Sequence, residues 1–166
     1  MSYTIRPLSQ NDIPFMWEML YESLFVPEGQ EPFNKEILKD PLISKYVEGW
    51  GREGDFGFIA TNKDGKPIGS ITARNFNESN KGFGYIDADV PELGMALLED
   101  YRGKGIGKAL LEHLFNEAKQ RGIKRLSLSV DPGNVAAVKL YQRFGFEDVG
   151  MVGTSITMVA RVNGGR

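Results

Sequence analysis

The segment Glu99-Asp-Tyr-Arg-Gly-Lys-Gly-Ile-Gly107 places three glycines within five residues and feeds straight into an amphipathic stretch. Upstream, Pro91–Leu98 reads as a strand, with Gly94 inside it as the mark of a bulge or a close backbone approach. Downstream, Lys108–Arg121 reads as a helix. Ile106, Leu110, Leu114 and Ala118 recur at helical spacing, Leu111 and Phe115 lie beside them, and Gly122 is the stop. A helix N-terminus carries unpaired N–H groups and a partial positive charge, so it attracts anions. Glycine lets the backbone approach a phosphate closely, and Arg102, Lys104 and Lys108 add positive charge at the same turn. Two readings follow from the residues: a diphosphate site, or a glycine-rich connection with a solvated basic face.

Two familiar phosphate motifs do not fit. A P-loop ends in Gly-Lys-Ser/Thr, whereas Gly107-Lys108 is followed by Ala109, and Arg102 stands where the first glycine belongs. A dinucleotide fingerprint on Gly103 and Gly105 needs a further glycine at the position of Lys108. Composition narrows the classes further. The formal net charge of −2 lacks the basic excess of a nucleic-acid binder, so no nucleic-acid partner is expected. No apolar run approaches the ~20 residues of a membrane span, and the N-terminus lacks a secretory apolar stretch, so a cytoplasmic home without a membrane partner is expected. The absence of cysteine excludes disulfides, thiolate metal sites and a cysteine nucleophile in this chain. A single histidine, His113, is too few for a multi-histidine site, so no metal is expected; it sits inside the helix after the loop and reads as structural.

The 166 residues suit one domain, 1–166, with no repeat or linker. Thr4–Pro7 reads as a first strand. Ser9–Asp12 offers caps for a helix bearing Ile13, Phe15, Met16, Met19 and Leu20, with Pro14 in its first turn. Asn34–Asp40 reads as a second short helix that Pro41 interrupts, with another turn or two in Leu42–Val47. Phe56–Ala60 and Ile68–Phe76 form a hairpin across the turn Asn62–Gly65, and Gly84–Val90 is weakly strand-like. Arg125–Val130 alternates as a strand, Val135–Phe144 is a helix stopped by Gly145, and Phe146–Val152 with Ser155–Val162 make an antiparallel pair. Asn163–Arg166 reads as a loose tail.

The run Arg102-Gly-Lys-Gly105-Ile-Gly107 resembles the Arg/Gln-x-x-Gly-x-Gly/Ala signature of the GNAT acetyltransferase superfamily. A second block, Asn134-Val-Ala-Ala-Val-Lys-Leu-Tyr141 followed by Phe144-Gly145-Phe146, is similar to the family's Asn-x-x-Ala and Tyr-x-x-x-Gly-Phe segment, in the family's order. The resemblance implies an α/β (α+β) fold: a mixed, mostly antiparallel central sheet of six to seven strands, splayed centrally, with helices on both faces. It implies acetyl-CoA as acyl donor and transfer of the acetyl group to an amine. Backbone N–H groups of Arg102, Gly103, Lys104, Gly105, Ile106 and Gly107 would hold the pyrophosphate. Met95, Ala96 and Leu97 would pair with the pantetheine arm, and Asn134 would contact the coenzyme or steady the next loop.

Attack of an amine on a thioester needs a base for the ammonium proton, donors for the oxyanion and an acid for the thiolate. The resemblance gives Tyr141 as the acid, Glu92 as the base and a backbone N–H near Leu97 as the oxyanion donor. Without cysteine, direct transfer in a ternary complex is favoured over an acyl-enzyme. Some protein N-terminal acetyltransferases of the family carry a glutamate five residues before the asparagine, where this chain has Ser129; that departure speaks against a ribosomal-protein acceptor. Asp131 is a fallback base, and an acidic turn with Asp87 and Asp89 would favour a cationic acceptor if it faced one. The expected partner is a small-molecule or peptide amine, and related proteins allow a homodimer through the final strands. The alternative function is a non-catalytic acyl-CoA-binding sensor or scaffold.

Overall fold

Local chemistry sets the first elements. In this computed structural model, which describes residues 2–162, strand β1 (Tyr3–Pro7) leads to a short 3-10 turn and helix α1 (Ile13–Glu22). The Asp12 carboxylate accepts from the Ser9 N–H at 2.8 Å and takes both Arg6 guanidinium nitrogens at 2.8 and 2.9 Å. That pairing holds the buried Asp12 carboxyl below the usual carboxylate range, chiefly through the hydrogen bonds from Arg6. The expected second helix is a 3-10 turn, Lys35–Lys39, capped by Asn34. Pro41 interrupts as expected: the 3-10 turn stops at Lys39, Asp40 caps Leu42 N–H at 2.9 Å, and Pro41 opens the short α2 (Pro41–Ser44), where its missing N–H costs nothing.

The strands follow as β2 (Phe56–Asn62), β3 (Pro67–Arg74), β4 (Glu92–Leu97), β5 (Arg125–Val130), β6 (Glu147–Val152) and β7 (Ser155–Arg161), with helices α3 (Ile106–Gln120) and α4 (Val135–Arg143) between them. They form one seven-stranded sheet in the order β1-β2-β3-β4-β5-β7-β6. The pairs β1–β2, β2–β3, β5–β7 and β6–β7 are antiparallel, and β4–β5 is parallel. This is the expected mixed, mostly antiparallel sheet. Asn163–Arg166, expected as a tail, lies outside the described residues.

Two compact units divide the chain. The first contains the residues up to Ala73 together with Gly94–Leu114. Here β2 pairs with β1 and β3 around the Asn62–Gly65 turn, whose Asn62 side chain accepts from Asp64 and Lys66 N–H. The helical stripe read from sequence is the buried face of α3: Ile106, Leu110, Leu111 and Leu114 are fully buried. Gly94 requires no close approach, since a Cβ there would meet only Thr72 Oγ1 at 3.6 Å.

The second unit contains Arg74–Leu93 and the chain from Phe115 onward. Phe115 packs against Phe144 and Phe146 at 5.5 and 5.8 Å between centroids. The return strand of the hairpin stops at Arg74, and Gly84–Val90 is not a strand. Its backbone is taken by turns and side chains instead: Tyr85 N–H donates to Gly82 O, Val90 N–H to Asp87 O, and Thr157 Oγ1 to Phe83 O. These bonds serve turns and a side chain rather than a strand ladder.

Candidate active site

The glycine loop lies wholly in the first unit. A 3-10 turn, Glu99–Tyr101, ends β4, and Tyr101 Oη accepts from Asn62 Nδ2 at 3.3 Å. Gly103 and Gly105 have φ of +73° and +88°, a conformation that costs other residues energy. Nothing lies within 4 Å of the point where a Cβ would stand at either position. The loop therefore needs glycine for backbone shape and keeps open space above it. Arg102–Gly105 are exposed, whereas Ile106 beneath them is fully buried and anchors the start of α3. The first helical turn closes with Ala109 N–H to Gly105 O at 3.2 Å, and the amides before it have no acceptor inside the helix. Lys104 and Lys108 are exposed at the same end. A diphosphate suits this shape, charge and amide supply.

Arg102 is already engaged through its side chain. Its Nε donates to Leu97 O at 3.1 Å and its guanidinium pairs with Glu22 of α1 at 3.0 Å. Its backbone N–H is engaged too, donating to Glu99 O at 3.2 Å, so the free loop amides begin after it, contrary to the expectation that its N–H would serve the pyrophosphate. Met95, Ala96 and Leu97 are half-buried on β4, and the Leu97 carbonyl carries that Arg102 bond. His113 behaves as structural: its Nδ1 lies 3.0 Å from Ala109 O and its ring meets Phe58 edge-on at 5.5 Å. The first unit also holds a cavity of about 530 Å³ lined by Trp17, Lys35, Leu38, Lys39, Ser44 and Glu48. In sequence, Trp17 carries no signal that sets it apart from an aromatic of the core.

The remaining candidates lie in the second unit. Glu92 is 4 % exposed on β4 and registers with Ser127 on β5. Tyr141 on α4 is 7 % exposed and packs edge-on against Phe146 at 5.7 Å. Burial pushes its phenol up to about 12, so it stays protonated throughout the neutral range. Asn134 is the N-cap of α4, its Oδ1 accepting from Ala137 N–H at 3.4 Å. Asp131 Oδ1 accepts from Gly133 N–H at 2.8 Å, which makes it a turn former. Asp87 and Asp89 are exposed, and their charge is felt at Tyr85, whose phenol is raised by desolvation first and then by Glu78, Asp87 and Asp89.

The fourth strand of a mixed sheet thus runs through a positive-φ glycine loop into a helix N-terminus, a layout suited to an anionic ligand. Residues 14–146 match the acetyltransferase (GNAT) family, and the chain belongs to it: it is an acetyl-CoA-dependent N-acetyltransferase. It is 28% identical over 163 residues to an uncharacterised N-acetyltransferase of Methanocaldococcus jannaschii, covering 97% of this chain and 68% of that protein. It is 41% identical over 147 residues to the ribosomal protein bS18-alanine N-acetyltransferase of Salmonella typhimurium, covering 87% of this chain and 81% of that one. The solved phosphinothricin acetyltransferase of Sinorhizobium meliloti, in complex with AcCoA, shares the fold at a TM-score of 0.67 and 21% identity, covering 97% of this chain and 89% of that one. Among the described residues no helix is long and apolar enough to cross a membrane.

Proposed function

We propose that residues 1–166 act as one domain that passes the acetyl group of acetyl-CoA directly to a primary amine in a ternary complex. The observation that carries this reading is the exposed, positive-φ glycine loop over the buried Ile106, with open space where side chains would stand. Backbone N–H groups of Gly103, Lys104, Gly105, Ile106 and Gly107 hold the diphosphate, while that of Arg102 stays with Glu99 O. Met95, Ala96 and Leu97 pair with the pantetheine arm, and Asn134 keeps the start of α4 in place. Acetyl-CoA supplies a thioester carbonyl; the chain supplies position and proton traffic.

In this reading Glu92 accepts the proton of the acceptor ammonium, and a backbone N–H near Leu97 donates to the oxyanion. Tyr141 addresses the departing sulfur. Burial keeps the Tyr141 phenol protonated, so it has a proton to share with or give to the thiolate. With no cysteine in the chain, no acyl-enzyme on a thiol competes with direct attack.

A protein α-amine is the second reading for the acceptor. The 41% identity to a ribosomal-protein alanine acetyltransferase favours it, and Ser129 at the position of that group's glutamate speaks against it. The test is thiol release from acetyl-CoA with a panel of polyamines, amine antibiotics, lysine peptides and peptides with a free N-terminus. Turnover with one class assigns the acceptor. Tight coenzyme binding with no release across the panel favours the sensor or scaffold reading. The homodimer belongs to the same proposal: β6 is exposed along its whole length, and sedimentation velocity reads whether a second copy covers it.

A further inference from the structure

Ser127 is fully buried, and its Oγ finds no hydrogen-bond partner among the described residues. A buried hydroxyl without a partner is costly, and an alanine there would avoid the cost, so the hydroxyl calls for an explanation. Its neighbours on β5, Leu126 and Leu128, point to the other face and are buried as apolar core. On its own face the register places Glu92 beside it, and Ser127 N–H donates to Pro91 O at 3.0 Å, which fixes the level of the two strands. The next residue on that face, Ser129, registers with Thr157, whose hydroxyl is satisfied by Phe83 O at 3.4 Å. Over this stretch the chain at Gly84 lies directly on the β5 backbone: a Cβ there would meet Leu128 C at 2.5 Å and Ser129 N at 2.9 Å. Ser129 stays half-buried, whereas Ser127 is fully buried and yet keeps a polar side chain.

We propose that Ser127 is a positioning residue for Glu92, its hydroxyl holding one ordered water against the Glu92 carboxylate. Buried waters typically satisfy such groups with about three hydrogen bonds. The inference rests on Glu92 being the base. In the step it serves, the acceptor ammonium gives a proton to the water oxygen as the water gives one of its own to the carboxylate. The water is regenerated, Glu92 becomes a carboxylic acid, and the amine keeps its lone pair for attack. Ser127 exchanges no proton in the net balance; it fixes where the water stands.

The test pairs kinetics with crystallography on Ser127→Ala, Ser127→Thr and Glu92→Gln, using the best acceptor of the amine panel. Ser127→Ala is expected to lower kcat about tenfold with the acetyl-CoA KM within twofold, and Ser127→Thr, which keeps the hydroxyl, to recover most of the loss. Crystals of the wild-type chain should show a water within hydrogen-bond distance of Ser127 Oγ and the Glu92 carboxylate, absent in Ser127→Ala. That comparison needs no acceptor and no functional threonine variant. Wild-type kcat in Ser127→Ala, or a dry Ser127 in the wild-type crystal, overturns the inference. The two readings fail separately: an active Glu92→Gln removes Glu92 as base, whereas an inactive Glu92→Gln beside an unimpaired Ser127→Ala removes only the role of Ser127.

Discussion

Two glycine regions of this chain use the same residue for opposite ends. At Gly103 and Gly105 the backbone has positive φ and nothing stands within 4 Å of a would-be Cβ. At Gly84 the missing side chain is filled by protein: the backbone of Leu128 and Ser129 lies 2.5 to 2.9 Å from where a Cβ would be. The first kind holds open a surface that the fold does not need for itself. The second closes the chain upon its own strand. Glycine count alone cannot separate them; the space around each does, and it predicts where a substitution is felt.

The largest expected effect is at the open site. Gly105→Glu adds a side chain and a negative charge beside the diphosphate. It should weaken CoA binding at least 100-fold, about 2.7 kcal/mol, while the fold loses only the ~1–2 kcal/mol of a non-glycine residue at this φ. Calorimetric titration beside a thermal melt reads both. Gly84→Ala should do the reverse. Backbone must move to admit the methyl, so a loss of about 2–3 kcal/mol of stability is expected in a denaturant melt, with CoA affinity of the folded protein unchanged. Equal effects of the two variants on binding would erase the distinction.

Tyr141 is where the distinction could break, because it is packed and yet proposed for chemistry. Tyr141→Phe keeps the ring against Phe146 and removes the donor. A 10- to 30-fold fall in kcat, about 1.5–2 kcal/mol, with unchanged CoA affinity is expected in steady-state assays. Equal loss of both would make the ring simply packing. The smallest effect belongs to Asp12, a packed carboxylate with no site role. Because its folded pKa is depressed, its contribution is present above the unfolded value near ~3.9 and is lost as pH falls through the folded one. Arg6 is partly exposed, so screening limits the Arg6 pair to about 1 kcal/mol. Asp12→Asn should therefore flatten the acid limb of stability against pH, measured by denaturant melts from neutral pH downward, and leave CoA binding untouched.

The loop and α3 were legible because their signals are local. Helical spacing from Ile106 to Ala118 became the buried face of the helix, and β5 matches the alternating stretch Arg125–Val130. Gly84–Val90 was misread as strand because apolar Tyr85, Ile86 and Val90 carry some β propensity, while what decides its shape is distant: the β5 backbone under Gly84 and the Thr157 hydroxyl at Phe83 O. The break at Pro41 was legible because proline cannot continue a helix, but that the same residue opens α2 shows only in the Asp40 cap. At the candidate site, the motif pointed to the backbone of Arg102 but not to its Glu22 partner, eighty residues away. Ser127 carries no motif; only its register with Glu92 and its unpartnered hydroxyl bring it forward.

The central claim is that loop amides before α3 grip the coenzyme, and backbone-resolved NMR during an acetyl-CoA titration tests it most directly. The account predicts that the N–H signals of Gly103, Gly105 and Gly107 move furthest and saturate with the binding isotherm. Saturable binding that leaves those three signals in place, with the shifts centred elsewhere, would contradict it.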